Sequence, residues 1–368
     1  MALRHKNDVA RRLAEEAIVL LKNERNLLPL DTTAGTIAVI GPLADDPADA
    51  LGPWSGQGDP RDVIAPLAGL KARAPADGVN IVYARGCDIT DTATAGFAEA
   101  VAAARQARVA VLVLGEAAGM SGEAASRSDI GLPGVQEQLL EAVQATGTPV
   151  VLVVMNGRPL TLQWAADHVP AMVESWFLGV ETGPALARVL FGDANPSGKL
   201  PVTFPRTVGQ VPIYYNHKNT GRPPADQKYT SKYIDLPSTP LFPFGFGLSY
   251  TTFTYSDLHL SAPSMGPGGT IKVTATVTNS GARAGAEVVQ LYLHDAVGSV
   301  TRPVRALAGF HRVMLQPGEA RTVEFTLGAK ELGLYNPAMR FVVEPGTFHV
   351  YVGGSSVGGL EGEFTVRR

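Results

Sequence analysis

The first half of the chain is marked by apolar runs that are continuous rather than alternating. They are "TIAVIG" at 36–41, "VNIVYARG" at 79–86, "VAVLVLGE" at 109–116, "PVVLVVMNG" at 149–157 and "AMVESWF" at 171–177. Between several of them lie stretches of helical period: "TAGFAEAVAAARQA" at 94–107, "GVQEQLLEAVQATG" at 134–147 and "TGPALARVLFG" at 182–192. A strand buried on both faces has no polar side to alternate with. The pattern therefore predicts an α/β domain over 1–204, a parallel sheet covered by helices in layers. Ahead of it, Val9, Leu13, Ala17, Leu20 and Leu21 recur at helical spacing, predicting one amphipathic helix with Arg11, Arg12, Glu15 and Glu16 toward water.

From 251 onward the period changes to two. In "GGTIKVTATVTNSG", Ile271, Val273, Ala275 and Val277 alternate with Lys272, Thr274, Thr276 and Thr278, the signature of a half-buried antiparallel strand. "EVVQLYLHD", "TVEFTLG", "FVVEPGTFHVYVGG" and "GEFTVRR" repeat it between turns such as Pro317-Gly318 and Pro345-Gly346. About seven short strands in roughly 115 residues suit an all-β, immunoglobulin-like sandwich over 251–368. Residues 205–250, rich in proline and carrying Tyr214, Tyr215, Tyr229, Tyr233, Phe242, Phe244 and Phe246, read as an ordered linker packed along both domains.

Composition narrows the function by exclusion. The 368 residues suffice for two cores, and a net charge of −3 with 18% charged residues gives no basic footprint for nucleic acid. The single cysteine, Cys87, excludes an internal disulfide framework and a cysteine-held zinc. The seven histidines are scattered without metal-ligand spacing. No apolar run is long enough for a membrane span, and the first residues lack the apolar core of a signal peptide. As the chain stands, the expectation is a soluble cytoplasmic protein, or a periplasmic or secreted one if a signal lies upstream. Neither G-x-G-x-x-G, nor a P-loop, nor G-x-S-x-G occurs, which removes support for dinucleotide, nucleotide and serine-hydrolase chemistry.

What remains lies at strand ends, where ligands of open α/β sheets bind. In "GMSGEAASRSDIGLP", residues 119–133, Glu123 stands among small residues just past a strand end. A carboxyl on an accessible loop suits general acid/base work if its surroundings tune it. The alternative is an ordinary i,i+4 surface pair with Arg127 on a helical turn, worth about 0.3–0.5 kcal/mol. Trp54 and Ser55, in "GPWSGQGD", offer a stacking face and a hydroxyl to a sugar, or simply anchor their loop. Glu116, Asp129, Asn156 and Arg158 read as loop braces. Glycoside hydrolysis needs two carboxyl groups flanking the bond, and only Glu123 presents itself.

Taken in order, "VARRLAEEAIVLLKNERNLLPL", "IAVIGPLAD", "GPWSGQG", "GEAAGMSGEAASRSDIGLP", "VVLVVMNGRPL", the run from Phe191 to Pro223 and "PFGFGLSYTTF" resemble the family 3 glycoside hydrolases, most of all bacterial β-glucosidases of the periplasmic type. The likeness covers essentially the whole chain but only the C-terminal part of such enzymes: an α/β sandwich domain, then a fibronectin type III-like domain. It implies a retaining β-glucosidase with no metal or organic cofactor, in which Glu123 of the E-x-x-x-R segment is the acid/base residue and its arginine, Arg127, is substrate-binding along with Trp54 and Ser55. It implies a nucleophilic aspartate on an N-terminal (β/α)8 barrel that has no counterpart here, so that the chain's partners are that barrel, in cis or in trans, and a β-glucoside or oligosaccharide. A β-xylosidase or α-arabinofuranosidase, and a non-catalytic carbohydrate-binding or assembly remnant, remain as alternatives. The first helix and the 205–250 tract are the candidate barrel-facing surfaces.

Overall fold

The computed structural model describes residues 2–31, 33 and 35–368, without the side chains of 2–6 and 77. The chain divides into two compact units: residues 1–198, 205–209 and 248–250 form one, and residues 199–204, 210–247 and 251–368 the other.

In the first unit the order is α1 (Ala2–Ala17), β1 (Val19–Asn23), β2 (Gly35–Ile40), α2 (Pro47–Ala50), α3 (Pro66–Arg73), β3 (Val79–Ala84), α4 (Phe97–Arg105), β4 (Val109–Gly115), α5 (Gln136–Gln144), β5 (Val150–Met155), α6 (Gln163–His168), β6 (Ala171–Glu174) and α7 (Thr182–Leu190). The five strands expected from the continuous apolar runs form a parallel sheet, β6-β5-β4-β2-β3, and β1 adds to its edge antiparallel to β6. Both faces are dry. Ile37, Val39, Val111, Val113, Val151 and Val153 pack with α3 and α7 side chains such as Leu67, Leu70, Leu186 and Val189. The alternate residues Ala38, Ile40, Ala110, Leu112, Leu114, Leu152 and Val154 are as deeply buried. α4 and α5, with Leu139, Leu140 and Val143, lie against the sheet on that other side.

The first segment departs from its expected form. The helix stops at Ala17, and Leu20 and Leu21 belong to edge strand β1. Its stripe also faces the other way: Val9 and Leu13 are 44% and 64% exposed, whereas Ala14 is buried. Arg11 and Glu15 do not point freely to water. Glu15 accepts from Arg11 at 2.7 Å and from Arg188 of α7 at 2.7 Å, so α1 docks through that ion pair and through alanines. Periodicity located an apolar stripe but not the side on which the helix is held.

The second unit is a sandwich. β7 (Phe253–Leu260), β8 (Ser264–Met265), β9 (Ile271–Asn279), β10 (Gly285–Asp295), β11 (Ala306–Leu315), β12 (Ala320–Leu327), α8 (Ala329–Leu332), β13 (Leu334–Tyr335), β14 (Phe341–Val342), β15 (Gly346–Gly353) and β16 (Leu360–Val366) follow in sequence. The longer strands form sheets β11-β10-β15-β16, extended by β8, and β12-β9-β7. Ile271, Val273, Ala275 and Val277 fill the core opposite Val289, Leu291, Phe348, Val350 and Phe364, as the period-two reading requires. β11 and β7 carried no expectation. Residues 210–247 are largely irregular and belong to this unit, held by Tyr215 stacked on Phe244 at 4.1 Å and by Gln290, whose amide donates to the Gly245 carbonyl at 3.0 Å. Tyr214, Tyr229 and Tyr233 of the same tract are exposed. No helix among the described residues is long and apolar enough to cross a membrane.

Candidate active site

The order β6-β5-β4-β2-β3 fixes where a ligand can enter. The order in which strands are added reverses between the parallel neighbours β2 and β4, so the loops leaving their carboxyl ends diverge and open a crevice. The loop after β2 carries Trp54, and the loop after β4 carries Glu123. Trp54 and Glu123 therefore come together although 69 positions apart: a Cβ placed on Gly122 would lie 3.7 Å from the Trp54 ring and 3.1 Å from Pro53.

The β4 loop is braced residue by residue. Gln136 of α5 is fully buried, and its amide both accepts from the Gly115 N–H and donates to the Gly115 carbonyl at 2.8 Å, pinning the strand end. Next comes Glu116, also fully buried. Arg127 reaches it at 2.6 Å, Arg158 at 3.0 Å and the Ser121 hydroxyl at 3.0 Å. The two guanidiniums also donate to loop carbonyls: Arg127 to Gly131 at 3.1 Å, Arg158 to Ala125 at 2.7 Å and to Met120. One buried carboxylate thus holds both ends of the loop. Asp49 accepts the Ala118 N–H at 2.8 Å, and burial raises its pKa against that bond. Asp129 accepts from Gly131 N–H, closing a local turn.

Glu123 is the exception. It is exposed on a turn between Gly122 at φ +98° and Ala124 at φ +58°, and its carboxyl makes no hydrogen bond or ion pair among the described residues. The segment is not helical, and Arg127 is committed to Glu116, so the i,i+4 pair does not form. Left-handed backbone at a non-glycine costs of order 1–3 kcal/mol and persists where the surroundings enforce it. Here the braced loop enforces it and turns Glu123 outward.

Beside Glu123 lies a cavity of about 390 Å³, with Trp54, Ser121, Asn156, Trp176 and Phe177 among its walls. Trp54 is 75% exposed at its rim, while Asn156 is fully buried at its base. Ser55 is exposed and does not line it. The sandwich unit has a cavity of similar size under Tyr214, Tyr215 and Phe244. Its one guanidinium, Arg305, donates to the Ser356 and Gly358 carbonyls, and no carboxyl group is among its lining residues. Among the described residues no cluster of histidine, cysteine or carboxylate side chains could hold a metal ion.

Residues 18–250 match the glycosyl hydrolase family 3 C-terminal domain. The chain belongs to glycosyl hydrolase family 3. Residues 287–356 match a fibronectin type III-like domain, so the family resemblance and the two-part fold class read from the sequence are both borne out. A periplasmic β-glucosidase of Salmonella typhimurium is 47% identical over 96% of this chain and 49% of its own length. A β-xylosidase of Formosa agariphila is 45% identical over 95% of this chain and 48% of its own. The crystal structure of a Listeria innocua β-glucosidase in complex with glucose superposes with a TM-score of 0.91 at 40% identity, covering 97% of this chain and 49% of that one. This family 3 chain spans about half the length of the curated relatives it matches.

Asn156, a loop brace on the sequence reading, and Glu174, which that reading does not single out, are both fully buried at strand ends beside this loop. A glutamate inside the apolar run "AMVESWF" was the available signal, because a carboxyl there must be buried.

Proposed function

We propose that this family 3 chain is the acid/base-bearing C-terminal part of a retaining β-glucosidase and that Glu123 is the acid/base residue. The observation that carries the reading is the contrast within one loop: Glu116 is locked by two arginines, whereas Glu123 is unpaired and exposed beside an aromatic-walled cavity at the sheet's crevice.

In this mechanism Glu123, protonated, gives its proton to the departing glycosidic oxygen as a nucleophilic carboxylate on a neighbouring barrel bonds to the anomeric carbon. Glu123, now ionised, takes a proton from the water that displaces the enzyme carboxylate and frees the sugar. The two carboxyl groups must lie roughly 5–5.5 Å apart, so the loop has to project from its own domain, and an outward turn at Gly122-Glu123-Ala124 suits that demand. Trp54 would stack against a sugar face. Arg127 acts through the loop, since its guanidinium is already spent on Glu116 and Gly131. The barrel, in cis or in trans, and the β-glucoside are the partners, and the name of the Salmonella relative favours work in the periplasm.

The Formosa relative favours a second reading, a β-xylosidase. The chain, mixed with a separately produced family 3 barrel, is to be assayed on 4-nitrophenyl β-D-glucoside and β-D-xyloside, alongside Glu123→Gln. Hydrolysis that needs both pieces and is lost in the variant supports the proposal, and the faster glycoside decides between the sugars. Activity unchanged by Glu123→Gln would refute it.

A further inference from the structure

Three polar side chains close the carboxyl ends of three neighbouring strands: Glu116 after β4, Asn156 after β5 and Glu174 at the end of β6. All three are fully buried. Glu116 is satisfied by Arg127, Arg158 and Ser121. The other two are not. Glu174 Oε1 accepts the Trp176 N–H at 2.9 Å, but among the described residues its Oε2 and both amide atoms of Asn156 meet no partner at hydrogen-bonding distance and angle, although the Asn156 amide lies near enough to the carboxyl to act on it. Leaving a buried polar group unsatisfied costs about 1–3 kcal/mol, so three such atoms at one spot call for an explanation. Asn156 also lines the cavity beside Glu123.

We propose that Asn156 is a recognition group for a hydroxyl of a pyranose ring lodged in this cavity, and that Glu174 is the positioning residue that orients its amide. The inference rests on the carbohydrate reading of the cavity. Among the described residues no cation pairs with Glu174, and it sits at the end of a strand with Val173 and Met172 behind it, so burial pushes its pKa well up. The Trp176 N–H and the neighbouring Asn156 pull the other way, and the carboxylate of Glu116 adds to the upward push. A protonated carboxyl has one O–H to give, and the adjoining acceptor without a partner is Asn156 Oδ1. That bond turns the Asn156 NH2 toward the cavity, where a sugar hydroxyl completes it. Trp54 and Phe177 supply the apolar walls that a ring's C–H faces require. Recognition of this kind is selective, because a ligand lacking the hydroxyl leaves the buried amide unpaired.

The test titrates the ¹⁵N-labelled chain with methyl β-D-glucopyranoside into the millimolar range and follows the Asn156 side-chain NH2 and the Trp54 indole N–H. In the unaltered chain both are expected to shift together. Asn156→Ala removes two unsatisfied atoms and is expected to fold, and its affinity, read from Trp54, should fall at least about fivefold. Glu174→Gln, which still donates a hydrogen, should keep the affinity. Glu174→Leu, similar in size but without a donor, should lose it. Should Glu174→Leu fail to fold, the Asn156→Ala and Glu174→Gln results still decide. Trp54 shifts with unchanged affinity in Asn156→Ala would overturn this inference and leave the carbohydrate reading intact. Equal affinity in Glu174→Leu and Glu174→Gln would overturn the role of Glu174. No shift at any residue of the unaltered chain would overturn the inference, while barrel-dependent hydrolysis lost in Glu123→Gln would show that the reading beneath it stands.

Discussion

Arg127 binds Glu116 at 2.6 Å and leaves Glu123, four positions before it, without a cation among the described residues. The choice separates two carboxyl groups by role. Glu116 is a fully buried anchor whose charge is balanced by two guanidiniums, while Glu123 is presented to solvent on the loop that the anchor shapes.

Removing the anchor should therefore cost stability, and removing the presented group should not. Breaking one side of a buried ion pair typically costs about 3–5 kcal/mol. Glu116→Ala is expected to lower the unfolding free energy by about that amount, whereas Glu123→Gln should stay within about 0.5 kcal/mol. Urea denaturation of the two variants checks this. Equal stability losses would show that the loop does not depend on Glu116.

The cavity beside Glu123 depends on a missing side chain. A Cβ on Gly157 would lie 2.6 Å from Ser121 Cβ and 3.1 Å from the Phe177 ring, so Gly157→Ala must displace a wall of the cavity. Overpacking of this kind costs about 1–3 kcal/mol. With a barrel supplied, a displacement near the reacting groups should lower kcat/KM on an aryl β-glucoside roughly 10–100-fold. Steady-state kinetics at a temperature where the variant is folded would test it, and unchanged kinetics would show that the cavity is not used.

Glu174 makes a signed prediction for pH. Its folded pKa lies above its unfolded value, so the folded state holds a proton that the unfolded state has released. Its contribution to stability is complete below the unfolded carboxyl pKa, about 4.3, and is lost as pH rises toward the folded value. Glu174→Gln carries no such titration. The variant should gain stability relative to the unaltered chain as pH rises from about 4 to 7, with the gap closing at the acid end. Asp49, Glu137, Glu181 and Asp295 are shifted in the same direction, so the difference between the two melting curves isolates Glu174. A gap that widens toward acid would reverse the sign and refute the account.

On α1, Leu13 is exposed and Val9 half so, although both are large and apolar. Leu13→Glu should change the stability of this chain by less than about 0.5 kcal/mol, while Leu112→Ala, inside the sheet, should cost about 2–5 kcal/mol. If the helix faces the barrel, Leu13→Glu should also weaken association with a supplied barrel. Co-purification of the two pieces would reveal that loss, and undiminished association would place the barrel elsewhere.

The parts legible in the sequence were those fixed by local period. Runs such as "VAVLVLGE" and "PVVLVVMNG" had to be two-sided strands, and Ile271 to Val277 had to alternate into a sandwich core. Glu123 could be singled out by its position past a strand end, but its acid/base role comes only from the family resemblance. The row of Glu116, Asn156 and Glu174 was not, because it exists only once β4, β5 and β6 are neighbours, and strand order is a non-local property. The first helix shows the same limit from the other side. Val9 and Leu13 mark a stripe, but the ion pairs of Glu15 with Arg11 and Arg188 decide which face docks.

The central claim is that Glu123 donates a proton to the leaving group, and leaving-group dependence tests it most directly. With barrel supplied, Glu123→Ala should lose about 10²–10⁴ in the glycosylation rate of methyl or cellobiosyl substrates, whose leaving oxygens need the proton. On 2,4-dinitrophenyl β-D-glucoside, whose leaving group departs unaided, glycosylation should be nearly unchanged. Equal losses on both kinds of substrate would contradict the assignment and reduce Glu123 to a binding or structural residue.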